Sequence, residues 1–263
     1  MNIVKSLQNS CTIFNKKKLA KLISFILDGS VLALPIFLSV FFMSGENILL
    51  RWPSLLISLM FLAIIPYSFI LILYRKGKIC DIHMPKRKER ILPLLFINLS
   101  VFTGFTIMFF INPNGLFYSL YLVYLIGLPL LSIITVFWKI SFHTSYVTIF
   151  SFALVAVYGK WAALSALLIP VIIWARVELK RHTIAQAFSG VMVTSIAAFI
   201  AFSLNNSNKD LHPALTSFLK IIKKDFFYVL PNAAVNYRNI LFLVITFLII
   251  IMYSRFMQDR KLI

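Results

Sequence analysis

Two short segments of this chain hold imidazole, guanidinium, hydroxyl and amide groups at intervals that suit phosphoryl chemistry. In Trp174-Ala-Arg-Val-Glu-Leu-Lys-Arg-His-Thr-Ile-Ala-Gln186, His182 has Gln186 four residues on, and on a helix that interval puts both side chains on one face. The Gln186 carbonyl can then accept the proton of one ring nitrogen and leave the other as a nucleophile. Arg176, six residues before His182, offers a planar, permanently charged fork that matches phosphate oxygens. Ser141-Phe142-His143 supplies a hydroxyl and a second imidazole able to act as general acid. A third segment, the basic stretch from Met84 to Pro93, carries Lys86, Arg87 and Arg90.

These groups lie in a chain built for a membrane. Of 263 residues, 60% are hydrophobic and only 13% charged, with a mean hydropathy of +0.92. That excludes a soluble domain and a disordered basic tail. At about 20 apolar residues per crossing, apolar windows fall near Leu22 to Met43, Ser54 to Tyr74, Ile91 to Ile111 and Leu116 to Trp138. Four more fall near Thr144 to Tyr158, Trp161 to Trp174, Thr183 to Leu204 and Ile240 to Tyr253. Backbone groups in lipid must be satisfied within the segment, so the expected fold is an all-α, polytopic helix bundle with about eight spans, six being the lower bound. The fifth and sixth windows are short, which places their ends, 141–144 and 176–182, at or inside the membrane boundary. The expected organisation is a basic tail over 1–21, one transmembrane domain over 22–254 and a second basic tail over 255–263.

With eight spans, the polar segments after spans two, four and six emerge on one face together with both ends of the chain. His83, His143 and His182 then share that face, as do 19 of the 26 Lys and Arg residues. The positive-inside rule accounts for the lysine-rich tails. Arg176 and His182 differ, because charge near lipid is costly and residues that keep it there are functional candidates. The run Lys86-Arg87-Lys88 also fits a topogenic or anionic-lipid patch, and the lysines and phenylalanines between Asn205 and Arg238 suggest an interfacial amphipathic stretch.

The three segments together resemble the signature motifs of the type 2 phosphatidic acid phosphatase superfamily, membrane lipid phosphatases related to the vanadium haloperoxidases. The family's third motif is Ser-Arg, five residues, His, three residues, Asp. Ala175-Arg176, five residues, His182, three residues, Gln186 keeps the spacing, with Ala for Ser and Gln for Asp. The second, Pro-Ser-Gly-His, is matched by Ile140-Ser141-Phe142-His143, which keeps Ser and His. The first, Lys, six residues, Arg-Pro, is matched most loosely. Arg90 takes the Arg place with Pro93 displaced, and the Lys place falls on His83 or, after a register shift, on Lys86 or Arg87.

The resemblance covers about residues 81–190 and implies a covalent mechanism that needs no metal or cofactor. His182 would attack phosphorus, and His143 would protonate the departing lipid alcohol and then activate water. Arg176, Arg90 and Arg87 or Lys86 would hold the phosphate oxygens, with Ser141 adding its hydroxyl or backbone N–H. The implied partners are lipid phosphates such as phosphatidic acid, phosphatidylglycerol phosphate or a polyprenyl pyrophosphate, together with the surrounding membrane lipids. The alternative is a catalytically silent lipid-phosphate-binding or lipid-transport protein on the same scaffold. Cys11 and Cys80 form no metal-ligand or disulfide pattern, there is no Walker loop, GxGxxG or HExxH, and no nucleic-acid partner is expected. The expected location is a prokaryotic cell (inner) membrane. The charge asymmetry points the site to the cytoplasm, although many members of the family face the periplasm or lumen.

Overall fold

A computed structural model describes residues 15–205 except 46, 85 and 114. Helices α1 (Asn15–Ile26) and α2 (Gly29–Met43) form a pair bent by 43°. Helices α3 (Ile48–Ser58) and α4 (Ile65–Arg75) are joined by a π-helical stretch, Leu59–Ile64, into one rod of 28 residues. Then follow α5 (Ile91–Ile111), α6 (Leu116–Phe137), α7 (Phe142–Tyr158), a 3-10 segment over Lys160–Leu167 running into α8 (Leu168–Glu178), and α9 (Ile184–Leu204).

The described residues are all-helical, and five helices are long and apolar enough to cross a membrane, six if the bent pair counts as one span. The expectation of about eight is therefore not reached within them. The eighth window, Ile240 to Tyr253, and the stretch following Asn205 lie outside the described residues. Helix α7, at 17 residues, is short for a span. The sixth window, Trp161 to Trp174, is extended by Lys160 and the last turn of α8 to 19 residues over Lys160–Glu178. Large apolar side chains such as Leu49, Phe110 and Trp161 are exposed on the outside of the bundle, as a lipid-facing surface requires.

Local sequence explains the irregularities. Pro66 has no N–H to donate and its ring crowds the carbonyl one turn back. The helix widens before it, so that Ile65 N–H reaches Met60 O. The carbonyls of Ile57 and Phe61, in and beside this stretch, accept from Tyr121 Oη at 3.0 Å and Ser100 Oγ at 2.7 Å, which fastens the rod to α6 and α5. The break between α1 and α2 occurs at Asp28, whose extended backbone starts α2 and whose side chain caps it.

Helix α6 is the central element, buried along most of its length against α5 and α9. Polar side chains tie the neighbours together: Asn98 Nδ2 donates to Ser132 Oγ at 3.0 Å and Asn205 Nδ2 to Ser119 Oγ at 2.7 Å. At the other end of the bundle α7 crosses close to α9. A Cβ on Gly190 would overlap the Ser141 carbonyl oxygen. Thr144 Oγ1 donates to Ala187 O at 2.8 Å, and Ser145 Oγ donates to Gly190 O at 3.2 Å. The first turn of α7, which carries His143, is thereby fixed to the first turns of α9.

Candidate functional site

The start of α5, the start of α7, the end of α8 and the loop into α9 converge on one cavity of about 260 Å³. Its imidazoles are His83, His143 and His182, and its cations are Lys21, Arg90, Lys139, Arg176 and Arg181. Ser24, Phe25 and Leu179 complete the wall. Four of the residues expected at a phosphate site, Arg90, His143, Arg176 and His182, thus meet although up to 92 positions separate them in sequence.

His182 is held by the way α8 ends. Lys180 takes a positive φ of 53°. Lys180 N–H reaches Val177 O at 2.8 Å and Arg181 N–H reaches Arg176 O at 3.0 Å. This is a Schellman closure with lysine where glycine is usual. His182 N–H also points at Arg176 O, at 3.4 Å. The closure turns the chain back so that residues 176 and 182 face one space. The His182 ring is buried and its Nδ1 has no hydrogen-bond partner. Burial first, and then the nearby charges of Arg176, Arg90 and Lys139, push its pKa down to about 3. The imidazole is therefore neutral across the physiological range. Burial together with Arg90, Arg176 and Arg181 also lowers the pKa of Lys139.

Each arginine is anchored before any ligand is considered. Arg90 Nε donates to Met84 O at 2.8 Å and its Nη1 to Ile140 O at 3.3 Å. Arg176 Nη1 donates to Ser24 Oγ at 3.4 Å, while its buried Nε has no partner. Both guanidiniums keep donors for an anion, since each carries five N–H groups.

The remaining expected residues sit differently. Gln186 does not orient His182: its Oε1 accepts Thr183 N–H at 3.1 Å and its own N–H donates to Thr183 Oγ1 at 3.3 Å, a capping box that starts α9. His182 precedes the cap residue, so the i, i+4 face that the spacing suggests never forms. Ser141 occupies the N-cap position of α7, buried and without a side-chain capping bond. Its N–H is engaged by Gln186 O at 3.2 Å, and its buried Oγ has no partner. Arg87 and Lys86 stand outside the cavity lining. Arg87 Nη1 donates to Phe137 O at 2.6 Å, and Lys86 pairs with Glu89 at 3.4 Å. His83, the alternative for the Lys place of the first motif, does line the cavity.

Sequence reasoning did not single out Lys21, Ser24, Asp28, Lys139 or Arg181. Lys139 and Arg181 adjoin the motif residues, and Asp28 carried a usable signal as the single acidic residue in the apolar run from Leu22 to Met43. Asp28 Oδ2 lies 3.1 Å from His143 Nε2 and 3.9 Å from His83 Nδ1. The ligand atoms of these three residues lie within 4.8 Å of one another, close enough to hold a metal ion. The cations lining the adjacent cavity favour an anion there instead. No family model, curated protein or solved structure matches the chain.

Proposed function

We propose that the protein is a membrane-embedded lipid phosphatase that hydrolyses a lipid phosphomonoester or pyrophosphate through a phosphohistidine at His182. The observation that carries this reading is a neutral, buried imidazole opening on a cavity lined by Arg90, Arg176 and Lys139. A neutral imidazole is nucleophilic, and the surrounding fixed cations stabilise the charge that develops on the equatorial phosphate oxygens.

In the first step His182 forms a P–N bond while the P–O bond to the lipid alcohol breaks, and the departing oxygen takes a proton from His143. In the second, water gives a proton to His143 as its oxygen attacks phosphorus. The P–N bond breaks, releasing inorganic phosphate and free His182. With Nδ1 buried, Nε2 is the ring nitrogen left to serve the cavity. Arg176 and Arg90 hold the phosphate, and the apolar surfaces of the surrounding helices accommodate the acyl or prenyl chain.

The test is phosphate release by purified protein in detergent with EDTA present, from phosphatidic acid, phosphatidylglycerol phosphate and a polyprenyl pyrophosphate, beside the His182→Ala variant. Wild-type turnover with loss of about 10³-fold or more in the variant is expected. Equal release by both proteins, or none from any lipid, would sink the reading. One observation favours the non-catalytic alternative: His182 has no carboxylate partner, Gln186 being spent on the α9 cap. Tight binding of a lipid phosphate without release would establish that alternative.

A further inference from the structure

The bend between α1 and α2 falls inside a run that hydropathy alone reads as continuous, and it carries that run's one acidic residue. A carboxylate in such surroundings is costly unless it is paired. The two oxygens of Asp28 divide the work. Oδ1 accepts Ser30 N–H at 3.0 Å and Ser30 Oγ–H at 2.6 Å, capping α2. Oδ2 faces His143 Nε2 at 3.1 Å. Asp28 is itself not part of the cavity wall and stands behind His143, whose ring is. Gly29 makes the approach close enough, because a Cβ there would overlap the ring of Tyr146, one turn along α7 from His143. On the α1 side of the same bend, Ser24 holds Arg176 and Lys21 faces the cavity.

We propose that Asp28 is the positioning carboxylate of His143, so that the bend between α1 and α2, outside the motif-bearing core, completes the site. The inference rests on the phosphatase reading. Asp28 accepts the Nε2–H bond, which fixes the ring and leaves Nδ1 to serve the cavity. As the P–O bond breaks, the Nδ1 proton passes to the lipid alkoxide. As water attacks, Nδ1 takes a proton back. Asp28 stays ionised throughout and supports the imidazolium that His143 becomes between turnovers, against the cost of its burial first and the repulsion of Arg176 second. Gln186 supplies no such charge, and His83, at 3.9 Å, is a weaker second neighbour of the same oxygen.

Asn is as good a helix cap as Asp, so Asp28→Asn keeps the start of α2 and removes the charge. The probes are a lipid phosphomonoester, whose alkoxide needs a proton to leave, and p-nitrophenyl phosphate, whose phenolate does not. Steady-state hydrolysis is measured for the lipid and first-turnover p-nitrophenol release for the aryl ester. Asp28→Asn is expected to lose about 10²-fold in kcat on the lipid with KM changed by less than about threefold. Its loss on the aryl ester is expected to be smaller by at least about tenfold. The double variant with His143→Ala is expected to be no worse than His143→Ala alone. Equal losses on both substrates, or full activity on the lipid, overturn the proposal. If His182→Ala is inactive while Asp28→Asn is undiminished, only the role of Asp28 falls. If His182→Ala remains active, the phosphatase reading falls with it. Activity abolished by EDTA and restored by Zn²⁺ would assign Asp28, His83 and His143 to a metal and also overturn the proposal.

Discussion

Arg176 and His182 are joined through the backbone as well as across the cavity: the carbonyl of Arg176 faces the amides of Arg181 and His182, at 3.0 and 3.4 Å. The five residues between them are the last turn of α8 and its closure. A guanidinium and an imidazole separated by that interval are brought to one space by helix termination, with no contribution from a shared helical face. The Arg-x5-His spacing is thus intelligible as local geometry.

Lys180 occupies the left-handed position of this closure, where a Cβ costs roughly 1 kcal/mol. Lys180 is exposed and does not line the cavity. Lys180→Gly should raise the thermal unfolding midpoint in detergent, corresponding to a gain of up to about 1 kcal/mol, with kcat unchanged. A lower midpoint would show that the lysine side chain contributes more than its backbone strain costs.

Gln186→Ala distinguishes a capping role from a catalytic one. Loss of the capping box should cost about 1 kcal/mol of stability, read as a lower unfolding midpoint, with kcat within about threefold of wild type. A group that oriented the nucleophile would instead cost about 10²-fold or more in kcat, the scale of a lost acid or base partner.

Protonation of His182 is a liability on acidification. Its ordinary value is about 6.5, and burial with the neighbouring cations holds it at about 3 in the folded protein. Between those values the unfolded chain binds the extra proton, so this residue's contribution is present above about pH 6.5 and is lost as the pH falls towards 3. The slope it can impose is at most about 1.4 kcal/mol per pH unit. The wild-type unfolding midpoint should therefore fall faster from pH 6.5 to 4 than that of His182→Gln. Nitrogen chemical shifts of the ring should report a neutral imidazole at pH 5, and a charged ring there would contradict the electrostatic environment described for the cavity.

Gly190→Ala places a methyl group on the Ser141 carbonyl, backbone against backbone, where neither helix yields easily. A cost of about 1–3 kcal/mol is expected, with kcat falling because α7 carries His143 away from α9. An unfolding midpoint equal to wild type would show that the helices separate without strain.

How far the sequence carries depends on the length of the signal. Long apolar runs located helices α5, α6 and α9 to within a residue of their observed ends, and the rod over 48–75 at its far end, its start lying six residues before the window from Ser54 to Tyr74. The run Leu22 to Met43 hid a break, because one Asp beside one Gly is diluted among twenty other residues, although the chain bends by 43° there. In the site, spacing found groups whose partners are near in sequence, such as Arg176 with His182. It could not find Ser24, which meets Arg176 across 152 positions, or Asp28, which meets His143 across 115. Gln186 was misread for a different reason: the i, i+4 rule needs both residues inside the helix, and Thr183 starts α9 between them.

The Schellman closure after α8 also acts as a length gauge. A helix end can be shortened or lengthened by a turn with little local penalty, but the interval from Arg176 to His182 contains no spare residue. One residue inserted there moves the left-handed position off Lys180 and swings the imidazole away from the arginine by a fraction of a turn.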